Sequence, residues 1–155
     1  MTTHDGHTEH MGPPAPRPCT SCPYRRDVPS GIWDHTEYRK LRAYDNDLPD
    51  QPAALFQCHQ QDADDDRRRM CAGWVGCHGP TLFALRLALV EDRITPTTYR
   101  AVTEYHCPTP LFTTGAAAAD HGETDLHDPT AEAAHAIAKI RRARTDLADH
   151  ATPLD

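Results

Sequence analysis

Residues 71–79 read CAGWVGCHG, nine positions holding two cysteines, a histidine, a tryptophan and three glycines. Cysteine and glycine at this density imply a backbone folded closely around a metal, a disulfide or a small core. Whether Cys71 or Cys77 faces that centre depends on which partners the remaining sequence supplies.

Three other thiols answer first. Cys19 and Cys22 form a C-x-x-C pair in CTSCPYRRDVPSG, a stretch bounded by Pro and Gly and so predicted to be a loop. A tight turn points two thiolates three positions apart to the same side, so one metal centre can take both. Cys58 adds a third thiol and Cys71 a fourth, a set that suits a tetrahedral zinc ion or a four-iron cubane. Zinc ribbons present two C-x-x-C knuckles. Cys58 and Cys71 form none, Pro23 follows Cys22 as prolines follow iron–sulfur ligands, and the glycines after Cys71 would turn backbone amides toward cluster sulfides. The spacing therefore predicts an iron–sulfur cluster, of the 4Fe-4S type, at Cys19, Cys22, Cys58 and Cys71, with zinc as the alternative. The competing reading is of buried thiols without metal. His59, Cys77 and His78 are reserve or outer groups around the centre, and Cys107 reads as a lone buried thiol.

Composition fits this picture. Only 38% of the 155 residues are apolar and 6% aromatic, with 14 prolines, which is thin material for a core without a staple. A formal net charge of −7 argues against direct nucleic-acid binding, since phosphates attract a basic face. The opening MTTHDGHTEHMGPPAPRP has no apolar signal region, and TLFALRLALV is too short to cross a bilayer and carries Arg86. A cytoplasmic chain with no membrane association is expected, and in that reducing setting six cysteines are a metal or redox signal before a disulfide framework.

Along the chain, residues 1–18 read as a disordered, proline-rich leader in which His4, His7 and His10 have no fixed role. Residues 19–127 read as the cysteine-rich domain, and 128–155 as a C-terminal helix and tail. A helix is predicted over 34–47, with Asp34 as N-cap, Glu37 completing a capping box, and Ile32, Trp33, Tyr38, Leu41 and Tyr44 on the buried side. ALFQCHQ (54–60) reads as extended, which would set Cys58 and His59 on opposite faces. QDADDDRRRM (61–70) reads as a charged surface loop. Residues 79–93 predict a helix with Pro80 in its first turn and an apolar surface of Leu82, Phe83, Leu85, Leu89 and Val90. Thr95 and Pro96 start the next, GAAAADHG (115–122) forms one or two turns closed by Gly122, and Asp128 with Pro129 starts the last. Its stripe is Ala134, Ile137, Ile140 and Leu147.

No catalytic set emerges. CPYR has Arg25 where a glutaredoxin-type pair needs its second cysteine, and CTSC is preceded by prolines rather than by a strand.

Taken together, CTSCPYRRDVPSGIW (19–33), FQCHQ (56–60), CAGWVGCHG (71–79) and PLFTTGAAAADHG (110–122) resemble an uncharacterised family of small cysteine-containing proteins of actinobacteria and their phages. The resemblance runs from Cys19 to the last helix. It implies Cys19, Cys22, Cys58 and Cys71 as the shared cysteines and His59 as part of a Cys-His pair. A looser analogy links the chain to the WhiB-like regulators, which bind a four-iron cluster through four cysteines but carry a turn motif absent here. The expectation is a mainly α, small, irregular metal-centred domain with loops and at most short strands. Its expected function is non-enzymatic: a redox- or iron-responsive regulator acting through an unidentified protein partner. The alternatives are a structural zinc interaction module and an iron–sulfur electron carrier.

Overall fold

The computed structural model describes residues 10–58, 68–124 and 130–143. It is mainly helical, as predicted. Six α-helices occur among the described residues: α1 (His35–Ala43), α2 (Ala72–His78), α3 (Phe83–Val90), α4 (Pro96–Thr103), α5 (Gly115–Glu123) and α6 (Ala131–Ala143). A 3-10 helix follows α1 at Leu48–Asp50, and isolated β-bridges stand in place of a sheet. No helix among the described residues is long and apolar enough to cross a membrane.

Local chemistry explains the starts. Asp34 caps α1 by accepting from the Thr36 amide, and Glu37 bonds Lys40 at 3.0 Å. Thr95 caps α4 through the Thr98 amide, with Pro96 at the first position. Helix α3 begins later than expected, at Phe83. Gly79 adopts a φ of 83° that ends α2, so Pro80 falls in the connecting turn and Val90, expected in the apolar surface, is 81% exposed. Helix α5 runs through Gly122 rather than stopping there. In α6 the Thr130 hydroxyl accepts from the Ala133 amide, and Ala133 rather than Ala134 is buried, together with Ile140. Asp128, Pro129 and Leu147 lie outside the described residues.

The expected leader is corrected at its described end. Met11 is buried in the core, the Gly12 amide donates to the Arg68 carbonyl at 3.0 Å, and the Met70 amide donates to the Gly12 carbonyl at 3.1 Å. The Pro16 and Pro18 carbonyls accept from Tyr105 and Arg25. A proline-rich segment is already extended, so little conformational freedom is lost when it lies along residues 68–70. Residues 1–9 lie outside the described residues.

Helices α1 and α5 pack directly on each other. Their contact needs glycine: a β-carbon at Gly122 would enter the Tyr38 ring, and one at Gly115 would strike the Leu41 carbonyl. Arg42 reaches from α1 to Asp120 and Glu123 of α5. Gly122→Ala should therefore lower the unfolding free energy by about 1–3 kcal/mol, the range for overpacking, although Ala is the better helix former. A urea melt reads this; unchanged or raised stability would mean that α5 does not rest on Tyr38.

Candidate metal centre

The C-x-x-C loop is a run of tight turns. The Cys22 amide donates to the Cys19 carbonyl and the Arg25 amide to the Cys22 carbonyl, each at 3.1 Å, which turns both cysteines toward one side. The loop is then fastened from several directions. The Trp33 indole N–H donates to the Ser21 carbonyl at 2.9 Å, and the Gly31 amide, at a glycine-requiring φ of 72°, donates to the Gly122 carbonyl at 2.7 Å. Residues 110–112 pair with it through an Arg25–Leu111 bridge.

Cys58 and Cys71 arrive through a second pairing. Gln57 bridges Met70 antiparallel, with the Cys58 amide donating to Arg69 and the Cys71 amide to Phe56. This register sets Cys58 opposite Arg69, so Cys71, two residues beyond Arg69, shares its face. Cys71 then becomes the N-cap residue of α2.

Here the structure differs from the expected glycine turn. Residues 72–78 are helical, and the glycines permit close approach rather than reversal of the chain. A β-carbon at Gly73 would collide with the Cys22 sulfur and sit 2.7 Å from Tyr24 Cβ; one at Gly76 would lie 3.1 Å from Cys107 Cβ.

Two of the sulfurs touch. Cys22 Sγ and Cys71 Sγ are 3.6 Å apart and buried, at 1% and 2% residue exposure. Cys19 is only partly exposed, and the Ser21 hydroxyl stands 3.7 Å from its sulfur. Contact with Cys58 and then burial raise the Cys19 pKa, while burial and then Cys22 raise that of Cys71. A thiolate at either position needs a cation beside it. No disulfide joins the six cysteines. Among the described residues, no group of three or more Cys, His, Asp or Glu side chains stands as a ready-made metal-binding set.

The reserves have other partners. His78 Nε2 lies 2.9 Å from the Tyr24 hydroxyl, and its Nδ1 lies 3.7 Å from Asp45. Asp45 in turn accepts from the Gly115 and Ala116 amides, both at 2.8 Å, at the start of α5. Tyr24, Asp45 and His78 thus tie the cysteine loop, α1, α2 and α5 together. Sequence reading missed Tyr24 and Asp45; only the place of Tyr24 in CPYR, immediately after Cys22-Pro23, hinted at a role. Burial and then Asp45 push Cys77 up to about 12, and Cys107 Sγ lies 3.2 Å from the Thr109 carbonyl. His59 lies outside the described residues.

A family model described as a family of unknown function, DUF6283, matches residues 14–144. The chain belongs to that family. The match takes in all six cysteines and all six described helices. No curated protein and no solved structure matches it.

Two outcomes follow from this geometry. Gly73→Ala should push α2 away from Cys22 and lower stability by about 1–3 kcal/mol, with the Cys22 and Cys71 thiols gaining reactivity toward an alkylating reagent. Unchanged alkylation rates would contradict the contact. Burial lowers the His78 pKa from 6.5, with Asp45 opposing. A depressed folded pKa gives stability that is complete above the unfolded value and lost as pH falls through the folded one. His78→Gln should accordingly flatten the decline in stability below pH 6.5, measured by parallel urea melts of the two proteins across pH.

Proposed function

We propose that this chain is a non-enzymatic metal-binding module in which Cys19, Cys22, Cys58 and Cys71 hold one metal centre, and that it acts through a protein partner. The observation that carries the reading is the buried 3.6 Å approach of Cys22 and Cys71. Two thiols from separated segments meet in a chain with a small core, where a metal would add folding free energy. A net charge of −7 favours a protein over a nucleic acid as partner, and thiols free of disulfides suit a reducing, cytoplasmic setting.

The separation also bears on the metal. Two sulfurs bound to one tetrahedral zinc ion stand about 3.8 Å apart, whereas each thiolate of a cubane binds a different iron and the sulfurs spread wider. A single zinc-type ion, held for structure, is therefore the first reading. An iron–sulfur cluster in a redox- or iron-responsive regulator is the second. It is favoured by the buried Trp74 indole N–H, which has no acceptor among the described residues and lies three residues past Cys71; cluster sulfides need such donors. The actinobacterial or phage setting and the WhiB-like analogy belong to this second reading.

Metal analysis of protein purified without oxygen decides between them. The expected result is colourless protein with about one zinc per chain, as for a closed four-thiolate site. Brown protein with iron, sulfide and broad absorbance near ~400 nm selects the cluster. Cys22→Ser and Cys71→Ser should lose metal and fold together, while Cys77→Ser and Cys107→Ser keep both. Folded protein holding neither metal would refute the proposal.

A further inference from the structure

In a sequence, the pair that would close first under oxidation is the C-x-x-C, because two residues separate its thiols. The fold gives Cys22 a different neighbour. Its sulfur lies 3.6 Å from that of Cys71, 49 positions along the chain, while the Cys19 sulfur stands 3.7 Å from the Ser21 hydroxyl. The backbone is held on both sides of the contact. The Cys22 amide donates to the Cys19 carbonyl and the Cys22 carbonyl accepts from Arg25, each at 3.1 Å. The Cys71 amide donates to the Phe56 carbonyl at 2.8 Å, and the Cys71 carbonyl accepts from Val75 at 3.1 Å. Gly73 keeps the first turn of α2 against the Cys22 sulfur with no side chain between them.

We propose that Cys22 and Cys71 are a redox latch: hydrogen peroxide joins them in a disulfide that ties the cysteine loop to α2. The pairing stands on the sulfur contact and needs no metal. One thiol attacks the peroxide, the O–O bond breaks, water leaves with the thiol proton and a sulfenic acid forms. The second thiol attacks the sulfenic sulfur, the S–S bond forms, and the sulfenic hydroxyl leaves with the second proton as water. The two thiols lose two electrons and the peroxide gains two. The sulfurs have only to close from 3.6 Å to the roughly 2 Å of a disulfide.

The latch differs in effect from a C-x-x-C disulfide. A bond between residues 49 positions apart removes far more freedom from the unfolded chain than one that closes a four-residue loop, so oxidation makes the fold harder to open. Once formed, the bond lies where Cys22 and Cys71 are 1% and 2% exposed, shielded from reductants until the chain opens.

The test treats the full chain with hydrogen peroxide in chelating buffer, once folded and once in concentrated urea, and maps disulfides by mass spectrometry after alkylation. The folded chain should give Cys22–Cys71, and the chain in urea mainly Cys19–Cys22, where the shorter loop closes more readily. The oxidised folded chain should unfold at higher urea than the reduced one. A Cys77→Ser/Cys107→Ser variant should show the same gain, and reduction of the unfolded chain followed by refolding should abolish it. A Cys19–Cys22 disulfide in the folded chain, the same disulfides in both conditions, or no disulfide overturns the inference. So does a Cys22–Cys71 disulfide that leaves the urea midpoint unchanged or lowers it. Metal analysis of the untreated protein is read separately, so failure of the metal reading leaves this one standing.

Discussion

Cys22 and Cys71 meet because Gly73 has no side chain. The first turn of α2 lies against the Cys22 sulfur and Tyr24 Cβ, and even a methyl group there would collide with both. Much of the structure serves this one approach. The cysteine loop is pinned to Trp33, Gly122 and residues 110–112, and the segment carrying Cys58 is registered against the one that delivers Cys71. Short elements that could not hold themselves in water are fixed at the one place where three of them converge.

Around that contact the core is built from a few rings. Phe56 stacks on Trp74 with centroids 6.3 Å apart, Tyr44 meets Trp74 edge-on at 5.3 Å, and Tyr24 meets Phe56 edge-on at 6.0 Å. Large aromatic surfaces let a proline-rich chain with few aliphatic residues enclose its thiols. The polar edges have partners too: Tyr24 on His78, Tyr44 on the Ala54 carbonyl, Tyr38 on the amides of Ile32 and Trp33.

What could be read from sequence was what local chemistry decides. Asp34 and Thr95 mark their helices because an N-cap acts within one turn, and Tyr38, Leu41 and Tyr44 are buried as the helical period requires, with Ile32 and Trp33 buried just before the cap. The C-x-x-C turn was legible for the same reason. Two features were not. Gly73 and Gly76 argue locally against a helix, and only the proximity of Cys22 and Cys107, distant in sequence, shows why glycine is needed there. The docking of residues 10–18 depends on Arg68–Met70, more than fifty positions away, and no periodicity announces it. The contacts Tyr24–His78 and Asp45–α5 were hidden likewise, since each joins residues far apart along the chain.

Asp45 has a consequence for how the molecule comes apart. One carboxylate holds two amides of α5 and faces the imidazole that anchors Tyr24. Fraying at the start of α5 therefore deprives α2 of a neighbour, and displacement of α2 deprives α5 of a fixed cap. Openings that would be independent in a chain of separate helices are merged here into one cooperative unit. Cys22 and Cys71 are exposed to solvent chemistry only as often as that whole unit opens, so access to these inner sulfurs is governed by a collective event rather than by the movement of a single loop.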